Sequence, residues 1–333
     1  MDYQLTKKDN EKREPLWISI RKLANLMTAE KRQFFLASIA IVCNSLASLS
    51  VPIIIGYTID HAVASRDYTA LLINATILLV ISLFGWVMSY LQTRMMGGIG
   101  RRTLYRLRNA LFDKISSLPI SFFNQNKIGD LTSRITSDTD KLNQFFAQAF
   151  TQFLGNLLLV VGAGVCMLIL SVELGAVALL PALVVLLLTR LLSPWVQRKN
   201  LKSLQTTGAM SAEIQESLAN FPVVVAFNRM DYFEKKFDES NTKNYHASVW
   251  AGMASGVFSP LYSLASNLAQ LLVLVFAITM ILSGHIAVGL FVSFQLYLTN
   301  FYSPLQQLAS VWSSFQLALA SLDRIYEVLS LES

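Results

Sequence analysis

Between Ala247 and Leu322 the chain reads ASVWAGMASGVFSPLYSLASNLAQLLVLVFAITMILSGHIAVGLFVSFQLYLTNFYSPLQQLASVWSSFQLALASL, without a single Asp, Glu, Lys or Arg. Two apolar runs fill it, Met253–Leu282 and Ile286–Leu308, parted by a short break at Ser283–His285. A helix rises about 1.5 Å per residue and bilayer hydrocarbon is about 30 Å thick, so each run can cross it. A helix buried in a soluble protein would keep a polar face over such a length. Neither run has one, so the stretch reads as two membrane-spanning helices joined by a tight outer turn.

The same criterion picks out four more runs: Phe34–Ile59, Leu71–Thr93, Phe145–Ser171 and Leu174–Leu192. The fold class is therefore all-α membrane protein with six transmembrane helices. Composition agrees, with 53% hydrophobic and 14% charged residues, against about 25% charged in a soluble domain. Of the 27 Lys and Arg, only Arg66 lies in an outer connection. The rest flank the other ends of the spans, and that bias places both termini and both long connections in the cytoplasm. Bases arranged in this way set topology, and the net charge of +6 does not imply nucleic acid. Residues 1–33 are charged and the first span is too long for a signal h-region, so it is expected to remain as an anchor, in the plasma (inner) membrane.

Three outer connections are short, at about Asp60–Ala70, at Glu173 and at Ser283–His285. The two inner ones are long, about Met95–Gln144 and Trp195–Gly252, and they carry apolar residues at helical spacing, as in Leu104, Leu107, Leu111 and Ile115. The membrane helices are thus expected to run on into the cytoplasm and turn back there, near Leu118-Pro119 and near Asn220-Phe221-Pro222, because proline disfavours a helical residue before it. Within residues 1–33, Leu16, Ile20, Leu23 and Met27 share a face behind Trp17, which fits a helix lying along the inner interface. Residues 34–322 make the six-helix domain, and 323–333 are expected to begin a linker.

Three runs carry a resemblance. The first, SLPISFFNQNKIGDLTSRITSD, covers 117–138; the second, SAEIQESLANFPVVVAF, covers 211–227. The third starts at Gly284, passes Phe301, Pro304-Leu305, Gln307-Leu308 and Ala318, and ends in SLDRIYEVL at 321–329. In this order the chain resembles the transmembrane domain of ATP-binding-cassette exporters of the multidrug, lipid and peptide type, over nearly its whole length. The resemblance implies two coupling helices lying along the membrane plane, at about Phe123–Gly129 and Ala219–Ala226, each seated on a nucleotide-binding domain. The implied coupling residues are Phe122, Phe123, Asn124, Gly129, Asp130, Phe221, Val224 and Phe227; for Phe122 and Phe227, packing between the hairpin helices is the alternative reading. Family members usually carry Gly-Ile at Asn220-Phe221 and often Lys at Val225, so the docking surface here has its own shape.

The resemblance also implies ATP and Mg bound by cassettes outside this chain. The chain has no Gly-Lys dipeptide and so no phosphate-cradling loop; Gly97-Gly98-Ile99-Gly100 reads as a helix-packing or hinge site. Implied partners are a second copy or homologous half-transporter, nucleotide-binding domains, the lipid bilayer, and a hydrophobic or amphipathic cargo. No catalytic group is expected in the chain itself. His61, His246 and His285 fall in separate loops and make no metal site. Cys43 and Cys166 both fall within spans and read as free thiols.

Amides inside the spans mark a candidate cargo cavity: Gln148, Gln152 and Asn156 on the third, Asn267 and Gln270 on the fifth, Phe291, Gln295, Tyr302 and Gln306 on the sixth. Phe291, Gln295, Tyr302 and Gln306 share one helical face. Bonding to neighbouring helices is the alternative reading of each. Two rival functions are an ATP-independent secondary transporter or channel, and a non-transporting membrane regulator. Ion coupling usually needs ionisable groups within the membrane, and the middles of the six spans carry none.

Overall fold

The computed structural model describes residues 30–63 and 65–331; the proposed interfacial helix and the N-terminal and C-terminal extremes lie outside them. Among the described residues the ordered elements are all helices. Nine labels suffice: α1 (Lys31–Tyr57), α2 (Tyr68–Ser116), α3 (Ile120–Gln125), α4 (Ile128–Leu170), α5 (Val172–Ala219), α6 (Phe221–Ala226), α7 (Met230–Gly256), α8 (Phe258–Leu282) and α9 (Val288–Leu329). Among the described residues five stretches are both long and apolar enough to span a membrane: Lys31–Val63, α2, α4, α5 and Met230–Leu282. The expected sixth span, α9, is 42 residues long. It falls short on apolarity because Gln295, Thr299, Asn300, Ser303, Gln306 and Gln307 interrupt it.

Local chemistry explains the breaks. Asp67 caps α2 by accepting the N–H groups of Thr69 and Ala70 at 2.9 and 3.1 Å. At 49 residues, α2 is about 74 Å long, more than twice the hydrocarbon. It stops at Ser117 because Pro119 is extended (φ −69°, ψ 158°). The second outer turn was expected at Glu173, but the break falls at Ser171, which is extended (φ −160°, ψ 118°). Glu173 instead sits in the first turn of α5, where a carboxylate meets the positive helix end. Gly100 lies in unbroken α2, and a Cβ there would meet Asn143 Oδ1 at 2.7 Å. Of the glycine run, Gly100 thus packs closely against α4, whereas Gly97 and Gly98 face the Arg101 and Arg102 side chains of their own helix.

The chain forms two compact units: residues 30–172 with 276–331, and Glu173–Val275. In the first, α2, α4 and α9 close an inner core around Leu111, Phe122, Leu142, Phe146, Leu322 and Ile325. At its other end, α1 and α9 are seamed together. Ser293 Oγ donates to the Pro52 carbonyl (2.7 Å), Tyr297 Oη to the Leu49 carbonyl (2.6 Å) and Asn300 Nδ2 to the Ser48 carbonyl (3.5 Å). Pro52 has no N–H, so Ser48 lacks its helical donor, and Asn300 takes that place. Asp60 accepts the Gly289 N–H at 2.6 Å. Its carboxylate thereby caps α9 from the turn Thr58–Val63 that follows α1, since Ala287 at the N-cap position has no side-chain oxygen.

In the second unit a polar zipper joins α5 to α7. Asn200 pairs with Ser255, Ser203 with Ser248, and Asn244 accepts from both Thr206 and Thr207. Lys199 lies 5.2 Å over the Trp250 ring. Nearer the tip, Lys236 meets Glu213 at 2.7 Å, and that carboxylate holds the ammonium above its ordinary pKa of 10.5.

Candidate functional site

Both hairpin tips carry the short helices expected of them, with boundaries of their own. At the first tip, α3 covers Ile120–Gln125, three residues earlier than expected, because Asn126 turns extended (ψ 141°) and Gly129 and Asp130 already lie in the first turn of α4. At the second, α6 covers Phe221–Ala226, with Pro222 in the first turn, where a missing N–H costs nothing. Asn228 then adopts a left-handed φ of 52° to turn the chain into α7.

Burial divides the expected coupling residues. Phe122 is fully buried in the inner core, as its alternative reading of packing between the hairpin helices had it. Its neighbour Phe123 stands edge-on to it, with ring centroids 5.4 Å apart, and is 39% exposed. Val224 is likewise buried, since the underside of α6 packs into its own hairpin. Phe221 and Phe227 are exposed, as are Asn124, Gly129 and Asp130. A Cβ on Gly129 would meet nothing within 4 Å. The sequence reading missed Ile120, Ile128 and Val223, which are exposed apolar residues of the same tips. The signal was present as isoleucine and valine in short loops beside polar residues.

The cavity residues also separate. Tyr302 is buried in its own unit, so the expected four-residue face of α9 does not stand as one open surface. Phe291, Gln295 and Gln306 are half-buried. Asn156 is buried and donates to Gln307 Oε1 at 3.2 Å, a bond between neighbouring helices. Gln148, Gln152 and Asn267 are exposed; Gln270 donates to Ser266 at 3.4 Å. A different polar line lies open along α9: Thr299, Ser303, Gln307, Ser310 and Ser314. Its spacing of three and four residues was readable as one helical face. Among the described residues no cluster of His, Cys, Asp or Glu could hold a metal ion.

One group of residues, inside the runs 117–138 and 321–329, was not singled out in the sequence. Arg134 and Asp138, on the inner part of α4, are 4% and 2% exposed. Both bond to the far end of α9, to Glu327 and to Arg324 respectively.

A fatty acid ABC transporter ATP-binding/permease protein of Mycobacterium tuberculosis is 29% identical over 263 residues, 79% of this chain and 42% of its own length. An ABC transporter ATP-binding protein of Bacillus subtilis is 26% identical over 319 residues, covering 94% and 52%. An ATP-dependent lipid A-core flippase of Mannheimia succiniciproducens is 23% identical over 298 residues, covering 89% and 51%. The chain thus spans about half the length of the curated relatives it matches. A family profile described as the ABC transporter transmembrane region matches residues 34–305. With most of its length inside that match, and with long apolar helices ending in two helical hairpin tips, the chain belongs to the family of ABC transporter transmembrane regions.

Proposed function

We propose that this chain is the cargo-translocating part of an ATP-driven exporter that moves hydrophobic or amphipathic small molecules, lipids or peptides by alternating access. The observation that carries this reading is the pair of hairpin tips. Ile120, Phe123 and Ile128 at one, and Phe221, Val223, Val225 and Phe227 at the other, are large apolar side chains exposed at the ends of loops. Such clusters mark docking surfaces, here for nucleotide-binding domains that bind ATP and Mg. Two copies, or this chain and a homologous half, enclose the pathway. The charge bias supports hairpins and termini in the cytoplasm and the spans in the plasma membrane.

The cargo wall is the open line on α9 together with Gln148 and Gln152 on α4. Asn156 and Gln307 meet, and the two helices run in opposite senses. One and two turns inward, Gln152 and Gln148 therefore stand level with about Ser310 and Ser314. Hydroxyls and amides without fixed charge suit an amphipathic cargo. The relatives named for fatty acid and for lipid A-core support that class.

The test is reconstitution in proteoliposomes of the chain fused to a cassette domain, with a fluorescent lipid and a hydrophobic dye as cargoes. Without the cassette the chain neither binds nor hydrolyses ATP. In the fusion, Phe123→Asp with Phe221→Asp lowers cargo-stimulated hydrolysis while nucleotide binding survives. Unchanged transport in that double variant sinks the docking assignment. Gradient-driven transport by the chain alone would favour a secondary transporter.

A further inference from the structure

The charges buried beneath the first hairpin tip tie together two segments far apart in the chain. Asp138 accepts from Ser321 Oγ at 3.1 Å, from Lys141 Nζ at 3.3 Å, and from Arg324 through both Nε (2.8 Å) and Nη2. Arg134 donates Nε to Asp130 at 3.1 Å and Nη1 to both Glu327 Oε2 and the Arg324 carbonyl, each at 2.7 Å. Beside them, Arg108 of α2 bonds Thr139 at 3.1 Å and Asp140 at 2.9 Å. The two central residues begin and end a wider turn of α4, Arg134–Asp138. Such turns change which way the following side chains point.

This geometry resists sliding. Ser321, Arg324 and Glu327 occupy successive turns of α9, and each is engaged by one of the two buried charges. A shift of one residue along α9, about 1.5 Å, would break several of these bonds at once. It would leave Arg134 or Asp138 desolvated and without its partner, which a protein interior tolerates poorly. Apolar packing alone would permit small slips, as when Leu322 and Ile325 move past Phe122. The ion pairs remove that freedom.

We infer that Arg134 and Asp138 are positioning residues that clamp the first hairpin tip to the inner end of α9, so that displacement of one is delivered to the other without loss. The inference rests on the exporter reading for its purpose, since the tip is where a cassette would push and α9 carries the open polar line. The clamp itself is a mechanical property and can be measured without ATP.

Two readouts separate the claims. Spin labels are placed at Lys127→Cys and Ser330→Cys, both exposed, in a background free of Cys43 and Cys166. The full chain should show one narrow distance, and Asp138→Asn or Arg134→Gln should broaden it. Arg324→Gln, at a side chain 46% exposed, removes two of the bonds to Asp138 at a site that tolerates change, and should broaden it too. In the cassette fusion the same variants should lower cargo stimulation of ATP hydrolysis about tenfold, within the usual range of coupling energies, with basal hydrolysis retained. Arg134→Lys keeps the charge but loses the forked contact, and should fall between. An unchanged, narrow distance in folded Asp138→Asn and Arg324→Gln overturns the clamp. Broadening with full cargo stimulation overturns its role in coupling. If the unaltered fusion shows no cargo stimulation at all, the exporter reading falls, and the distance still decides the clamp.

Discussion

A methyl group added at Gly56 should force α1 and α9 apart at the seam. An ideal Cβ on Gly56 would stand 2.6 Å from the Gly289 carbonyl oxygen and 3.1 Å from its carbon, and would overlap the Ser293 hydroxyl. On Gly289 it would overlap the Gly56 carbonyl and lie 2.6 Å from Asp60 Cγ. Carbon and oxygen rest at about 3.3–3.6 Å, so the helices must part by about 0.7–1.0 Å. Three seam bonds now at 2.6–2.7 Å, to Asp60, Pro52 and Leu49, would then pass the limit of about 3.2 Å for a good bond.

Interhelical bonds in membranes are worth about 0.6 kcal/mol each, so their joint loss is about 2 kcal/mol. Overpacking a close contact adds about 1–3 kcal/mol. Less the gain of about 1 kcal/mol that alanine brings inside a helix, Gly56→Ala should therefore destabilise by about 2–4 kcal/mol, read as the shift in an SDS-titration unfolding curve of the purified chain. Gly208→Ala is the control. Gly208 lies inside α5 with nothing within 4 Å of its Cβ direction, and there alanine should stabilise by about 1 kcal/mol. Opposite signs are required. If Gly56→Ala unfolds with the wild type, or Gly208→Ala is the worse variant, the close packing of α1 on α9 is wrong.

Phe122→Ala should lower stability by about 3–5 kcal/mol in the same assay, whereas Phe227→Ala at an exposed site should stay within about 0.5 kcal/mol; equal effects would refute the division of the tip residues. Asp60→Ala removes the cap on α9 and should cost about 1–2 kcal/mol, with Asp60→Asn retaining most of it; no loss in either would remove Asp60 from the seam. Single cysteines at Ser65 and His285 should react with an impermeant reagent from outside, and those at Asn126 and Asn220 only after permeabilisation. His285 is the better outer site, because Gly284 has a left-handed φ of 75° that a side chain would strain.

The spans were legible because the bilayer rejects charge, and a run such as Met253–Leu282 has no other reading. The tips were legible because Pro119 and Pro222 each stop a helix for a covalent reason. Which face of a tip is buried was not legible. Phe122 and Phe123 are the same letter, and only Leu131, Leu142 and Ile325, supplied by other segments, make one of them core. The α9 partners of Arg134 and Asp138 lie more than 180 residues away, beyond any local pattern. Charge in a cytoplasmic hairpin ordinarily reads as a solvated face. The wider turns at Arg134–Asp138 and Phe145–Ala149 also shift the register of α4, so a 3.6-residue extrapolation misassigns faces beyond them. Tyr302 failed for a related reason: an aromatic beside amides suits a cavity wall and a helix contact equally, and burial is a tertiary fact.

The ties on α9 leave its middle as the part free to bend. Its first turns are held by Asp60, Ser293 and Tyr297, and its last by Asp138 and Arg134. Between them lies Pro304, which has no N–H to give the Asn300 carbonyl and crowds the preceding turn. Sharp bends in long helices gather at such positions. Asn300 already turns its amide toward Ser48, so the two carbonyls that proline deprives of a helical N–H, one in α1 and one in α9, lie on facing helices. Local opening should therefore be easiest between Asn300 and Leu308. In nanodiscs, amide exchange there should outpace that of residues 289–297 and 318–328. Pro304→Ala restores the missing donor and should bring the middle level with the ends. Uniform protection along wild-type α9 would show that the helix moves as a rigid rod, and a push delivered at the inner clamp would then have to tear the outer seam instead of bending the helix between them.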